Sequence, residues 1–231
     1  MHPILASHVK ELKDEFELSR YKESKIFEFF CNYCVLSKSY YGRFNPVDIT
    51  TDEDDAAIDG LAVTIDGDLI LTVDDAEQAF KTHKKNLIVD FIAVQTKSGD
   101  KFAKEDISNY SMGLSDFLTL SPKLPNGEYN LEVIKILTVI FDNLKKVANN
   151  RPNALIYYCT SGSYTAEREI SATFEIMKSS IDESDLFHSV SIFPFGRREL
   201  LTTWKTLNET NEARVKLIDF CGIPKSHDIP Q

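Results

Sequence analysis

Leu87-Ile88-Val89-Asp90-Phe91-Ile92-Ala93-Val94-Gln95-Thr96-Lys97 is the stretch on which the reading of this chain turns. It is almost continuously apolar up to Val94, the pattern of a strand buried on both faces, and such strands lie in the middle of sheets that carry helices on both sides. It then ends in three polar residues. Side chains two apart on a strand share a face, so Gln95 and Lys97 project together from its carboxyl end. The stretch therefore predicts both the centre of a sheet and a polar site at that centre's edge.

Upstream, Leu61-Ala62-Val63-Thr64-Ile65 and Leu69-Ile70-Leu71-Thr72-Val73 flank Asp66-Gly67-Asp68, and Asp-Gly between short apolar runs predicts a hairpin. Asp55-Ala56-Ala57-Ile58-Asp59-Gly60 leads into it, and Asp74 stands where it can cap a short helix reaching about His83. Ile4, Leu5, Val9, Leu12 and Phe16 have helical spacing across residues 3 to 20. Ile26, Phe27, Phe29, Phe30, Tyr33, Cys34 and Leu36 predict a second helix, about 22 to 39, buried on more than one side. Glu28 stands inside that run, where a carboxylate needs a partner, a proton or a metal. Residues 40 to 55, with Gly42, Asn45-Pro46 and the acidic cluster 52 to 55, predict a loop with a short strand near Val47 to Thr50.

Downstream, the pattern predicts helices over about 104 to 120 and 131 to 148, then a second central strand from Ala154 to Cys159. That strand leaves through Thr160-Ser161-Gly162-Ser163 into a helix over about 165 to 179. A strand from Val190 to Phe195, a helix over 197 to 207 and a further strand from Val215 to Phe220 complete the alternation. Strands alternating with helices make an α/β chain. With no repeat and no linker, the 231 residues read as one domain, a core of about 20 to 160 with an α/β extension of about 161 to 222.

The bulk composition narrows the function. A hydrophobic content of 42% supports a packed core, no apolar run approaches a bilayer span, and the N-terminus lacks a signal-peptide core, so a cytoplasmic protein with no membrane partner is expected. Cys31 and Cys34 form a C-x-x-C inside a helical pattern with no second metal-binding pair, and with Cys159 and Cys221 they read as ordinary buried thiols. The five histidines show no metal spacing. A net charge of -10 argues against passive, sequence-independent attachment to nucleic acid, which needs many cationic side chains. It does not exclude an enzyme that holds phosphate through a metal.

Hydrolysis of a phosphodiester by metal-activated water requires oxygen ligands converging on one point. Asp59 can supply a carboxylate, Gln95 an amide oxygen and Thr96 its backbone carbonyl, with the Lys97 ammonium beside them to orient water or offset charge. Each residue also has a plainer reading. Asp59 before Gly60 fits a turn, Gln95 to Lys97 fits the polar end of a buried strand, Glu28 fits a solvated helix face, and residues 52 to 55 fit an acidic loop. Thr160 to Ser163 fits an N-cap as well as a phosphate-holding turn, and Arg197 and Arg198 fit a surface helix start.

Ile58-Asp59-Gly60, the hairpin that follows, and Phe91-Ile92-Ala93-Val94-Gln95-Thr96-Lys97-Ser98 resemble the PD-(D/E)xK nuclease superfamily in its Mrr-like branch, where Gln replaces the first acid of the last triplet. More narrowly they resemble the N-terminal part of the AIPR, or abortive-infection phage-resistance, family. The likeness continues through Tyr158-Cys159-Thr160-Ser161-Gly162 and Phe193-Pro194-Phe195-Gly196. It implies a restriction-endonuclease-like fold, a central mixed β-sheet flanked by helices with N-terminal helices and the C-terminal extension. It further implies a Mg²⁺- or Mn²⁺-dependent nuclease in anti-phage defence, cutting DNA ahead of RNA. Asp59, Gln95, Lys97 and Glu28 become the catalytic set, and Asp59, Gln95, Thr96 and Glu28 the metal ligands. A homodimer and further domains or defence-system partners are compatible with it. Two departures stand out: the Gln lowers the negative charge of the site, and the chain stops soon after Ile223-Pro224-Lys225, where family members usually continue. They keep open an alternative, a nuclease-like scaffold that binds a partner or dimerises without catalysis.

Overall fold

The structure, a computed structural model, describes residues 1–52, 56–82 and 85–208. Its centre is β3 (Val89–Lys97), which pairs antiparallel with β1 (Gly60–Ile65) on one side and parallel with β4 (Asn153–Thr160) on the other. β2 (Asp68–Ile70) closes one edge against β1, and β5 (Ser189–Phe195) runs parallel to β4 at the other, giving the order β2-β1-β3-β4-β5. The fold is thus α/β with a five-stranded mixed sheet. The region expected to form a C-terminal extension adds its strand to this same sheet.

The continuous apolar run of β3 is explained by helices on both faces. Val89, Phe91 and Ala93 join a core built with α3 (Val73–Thr82), α4 (Lys104–Phe117), α5 (Glu128–Asp142) and α6 (Arg168–Asp182). Ile92 and Val94 point the other way, into a core with α1 (Pro3–Glu15), α2 (Glu23–Leu36) and α7 (Arg197–Asn208). Both parallel crossovers, β3 to β4 and β4 to β5, lie on the first face, as they must when strand order advances in one direction. The expectation for α2 holds: Ile26, Phe27, Phe29, Phe30, Cys31, Asn32, Cys34, Val35 and Leu36 are all buried.

The hairpin turn is at Asp66-Gly67, both at positive φ (51° and 85°), the geometry that Asp-Gly provides between twisted strands. Three local expectations are corrected. Residues 46 to 49 form a 3₁₀ turn, Pro46–Ile49, capped by the Asn45 side chain, which accepts from the Val47 amide; Thr50 alone pairs with Gly60. α3 is opened by Thr72, whose hydroxyl accepts from the Asp75 amide while the Asp75 carboxylate accepts from the Thr72 amide, so the cap is a reciprocal box whose capping residue lies two positions before Asp74. α6 begins at Arg168 with Glu167 at its cap, five residues beyond Ser163, so Thr160 to Ser163 is not its start. The strand expected from Val215 to Phe220 lies outside the described residues, as do His83, His227, Cys221 and the acids at 53 to 55.

Cys31, Cys34 and Cys159 are buried and free, and burial holds the Cys31 and Cys34 thiols well above their usual pKa, in keeping with inert core residues. Among the described residues no helix is long and apolar enough to cross a membrane.

Phe91 tests the two-sided burial of β3. Its ring is fully buried between Phe117 and Phe187, at centroid distances of 6.1 and 5.7 Å. Phe91→Ala is expected to cost about 3–5 kcal/mol in chemical denaturation; a loss below about 1 kcal/mol would mean that this layer is not packed as described.

Candidate functional site

The antiparallel β1–β3 pairing brings the start of β1 to the end of β3. The Asp59 amide donates to the Val94 carbonyl at 2.8 Å, continuing the ladder one step beyond Gly60. Its carbonyl accepts from the Thr51 amide at 3.3 Å and from Asn32 Nδ2 at 2.9 Å. With its backbone tied to three elements, the Asp59 side chain has one place to go.

That place is the last turn of the β3 backbone. Asp59 Oδ2 accepts from the Thr96 amide at 2.7 Å, from Thr96 Oγ1 at 2.8 Å and from Gln95 Nε2 at 2.8 Å. Gln95 Nε2 also donates to the Thr96 carbonyl at 3.2 Å. All three bonds to the carboxylate fall on one oxygen, and Oδ1 takes no part in this cradle. Loss of hydration raises the Asp59 pKa; the Thr96 donors oppose that shift, and the charges of Lys97 and Lys25 oppose it further. Asp59, Gln95 and Thr96 are therefore brought together. Asp59 is not a turn residue.

Lys97 and Gln95 leave β3 toward the α4 face and Thr96 toward the α2 face, as strand alternation requires. Lys97 is partly exposed and stands 3.5 Å from Asp106 Oδ1 on α4, within electrostatic reach of Asp59. Glu28 lies on α2, on the opposite side of the sheet from Gln95. Its Oε2 pairs with Lys25 Nζ at 2.7 Å, and Lys25 also donates to the Thr51 carbonyl at 2.5 Å. Glu28 thus stands beside the segment that anchors Asp59.

Three contributors were missed in the sequence. Lys25 and Asp106 have no signal there beyond ordinary surface charge. Asn32 does: it is an amide in the most apolar helix of the chain, four residues after Glu28 and on the same face. It is 1% exposed, donates to Thr50 Oγ1 at 2.8 Å as well as to the Asp59 carbonyl, and lies flat over Gly60. A Cβ on Gly60 would overlap the Asn32 side chain. This close approach, not a turn, is why glycine follows Asp59.

The donor set can be weighed against a hard divalent cation. Among the described residues no three His, Cys, Asp or Glu side chains gather in a metal-binding group. What gathers instead is one carboxylate, the backbone carbonyl of Thr96 and the Gln95 amide, whose buried Oε1 accepts no hydrogen bond from the described residues. Such oxygens suit Mg²⁺ or Mn²⁺, which keep several waters and take few protein ligands, and one net charge makes for weak binding.

Thr160 to Ser163 serves a different purpose. Ser161 Oγ donates to the carbonyls of Ser98 and Gly99, the Ser161 amide to that of Gly99, and the Gly162 carbonyl accepts from the Arg197 amide. The segment pins the loop after β3 to the ends of β4 and α7, and Arg197 opens α7 with its side chain 3.4 Å from Ser163 Oγ. In comparisons with known proteins, no family model, no curated protein and no solved structure matches the chain.

A double-mutant cycle tests the seat of Asp59. Gly60→Ala is expected to destabilise by about 1–3 kcal/mol in the parent and by clearly less in an Asn32→Ala background, because the second change removes the obstacle. Equal costs in both backgrounds would show that Asn32 is not what excludes a side chain.

Proposed function

We propose that the chain is a Mg²⁺- or Mn²⁺-dependent nuclease domain, of restriction-endonuclease-like fold and related to the N-terminal part of AIPR proteins, that hydrolyses DNA, with RNA as the second choice, in anti-phage defence. The observation that carries this reading is the convergence of the Asp59 carboxylate, the Gln95 amide and the Thr96 backbone at the end of the central strand, with Lys97 within electrostatic reach.

In this reading the Asp59 carboxylate, the Thr96 carbonyl and Gln95 Oε1 would hold the metal. When bound, the ion supplies positive charge against the phosphodiester and acidity to the attacking water. Lys97, free to swing away from a partly exposed Asp106, orients that water or offsets the charge that builds on the phosphoryl oxygens. The Lys25–Glu28 pair stands on the α2 side of Asp59, where the Lys25 charge favours the ionised carboxylate. Thr96, through its amide and hydroxyl, fixes the Asp59 carboxylate in one rotamer, which is the positioning that such a ligand needs.

A second reading is a nuclease-like scaffold that pairs with a partner or a second copy without turnover. The absence of a three-acid group among the described residues and the acidic net charge of -10 favour it. The two readings part on one assay. The nuclease reading expects metal-dependent cleavage of DNA or RNA that falls by at least about 100-fold in Asp59→Ala and in Lys97→Ala, with circular dichroism and melting showing both variants folded. Equal cleavage by all three proteins would assign the activity to a contaminant and leave the scaffold.

A further inference from the structure

The Gln95 amide stands between two oxygens, Asp59 Oδ2 and the Thr96 carbonyl. Its nitrogen donates to Asp59 Oδ2 at 2.8 Å and to the Thr96 carbonyl at 3.2 Å, so both protons of the group are engaged. Its oxygen faces away, is buried, and accepts no hydrogen bond from the described residues. The orientation follows from the donors and acceptors around it. With Oε1 turned inward, three oxygen acceptors would face one another with neither a proton nor a cation between them.

We propose that Gln95 is a placeholder for the cation: its NH₂ group bridges Asp59 and Thr96 in the metal-free protein, and the amide makes half a turn, presenting Oε1, when a divalent ion takes the bridge. This rests on the metal-binding part of the reading above. The motion needs little room, because the two ends of an amide are nearly equal in size and the last glutamine torsion is two-fold. It also accounts for an otherwise costly feature, a buried acceptor left idle, since that oxygen becomes a ligand in the loaded state. Glutamate at this position could not act in the same way. It would donate nothing, and it would set a second negative charge against Asp59 while the metal is away. Glutamine lowers the affinity for the ion and supplies the Asp59 carboxylate with a proton donor in its absence.

The chain contains three glutamines, Gln78, Gln95 and Gln231. Selective isotope labelling of glutamine in the full chain therefore yields three pairs of side-chain amide resonances. One pair, missing in Gln95→Glu, is expected to be strongly protected from solvent exchange without metal. On titration with Mg²⁺ alone that pair is expected to shift over the concentration range in which calorimetry reports binding, while the Gln78 pair stays put. Binding by calorimetry with the Gln95 resonances unmoved would overturn the placeholder and leave the metal reading standing. No binding of Mg²⁺ or Mn²⁺ by the parent protein would remove both. As a second measurement, Gln95→Glu is expected to melt below the parent in chelator, and to bind Mn²⁺ about tenfold more tightly or better, with a larger rise in Tm on adding the ion. Equal or weaker affinity in that variant would count against the proposal.

Discussion

Everything at the carboxyl end of β3 depends on the antiparallel register of β1 against it. Pairing Gly60 with Val94 puts Asp59 one step beyond the last ladder pair, level with Gln95 and Thr96. A slip of one residue would turn Asp59 away and send Leu61 and Val63 from one core to the other. The same pairing that buries the hydrophobic face therefore also places the carboxylate, and the site has no means of assembling without the core. The Asp66-Gly67 turn and the bond from the Asp66 amide to the Ile88 carbonyl at 2.8 Å fix that register from the far end.

Once placed, the carboxylate is kept in a setting that works against its charge. Burial disfavours ionisation, and the counterweight is three short donors on a single oxygen, two of them from Thr96, one of these its backbone amide. The two nearest lysines stand on opposite faces of the sheet and are engaged elsewhere, Lys25 by Glu28 and Thr51, Lys97 by Asp106. The arrangement is one of neutral donors close in and cations further out. A dense cluster of acids would need a metal simply to be stable in such a place. A lone carboxylate held by amides and a hydroxyl does not.

What the residues revealed by themselves follows the range of the interactions involved. β3 was legible because burial on two faces leaves an unbroken apolar run, and the hairpin because Asp66 and Gly67 carry their own turn geometry. Asp59, Gln95 and Lys97 could be singled out by residue type and strand position, yet the actual contact, three bonds onto Asp59 Oδ2, joins residues 36 and 37 apart and has no local trace. At α2 periodicity predicted the burial but not the contact: a helix buried most of the way round does not say which of its polar residues faces the sheet. Glu28 was noticed because a charge in an apolar run is conspicuous, while Asn32, one turn on, is the residue that touches Asp59. The capping of α3 by Thr72 instead of Asp74 and the 3₁₀ turn at Pro46 were matters of one-residue geometry, decided by which side chain reached which amide.

The partner preference of Lys97 bears on how the site would meet a polyanion. With a net charge of -10 the molecule repels nucleic acid at long range, and that repulsion is screened beyond about 8 Å at physiological salt. On the nuclease reading, a phosphodiester at the end of β3 would meet, among the described residues, the charges of Asp59, Lys97, Asp106 and Lys25. Without an ion that field is close to balanced, two carboxylates against two ammoniums, with Glu28 tipping it negative. On that reading a divalent ion at Asp59 would make it positive, and Lys97 would gain reason to leave Asp106 for the phosphate. On the nuclease reading, substrate and cation would then favour each other's binding, by linkage.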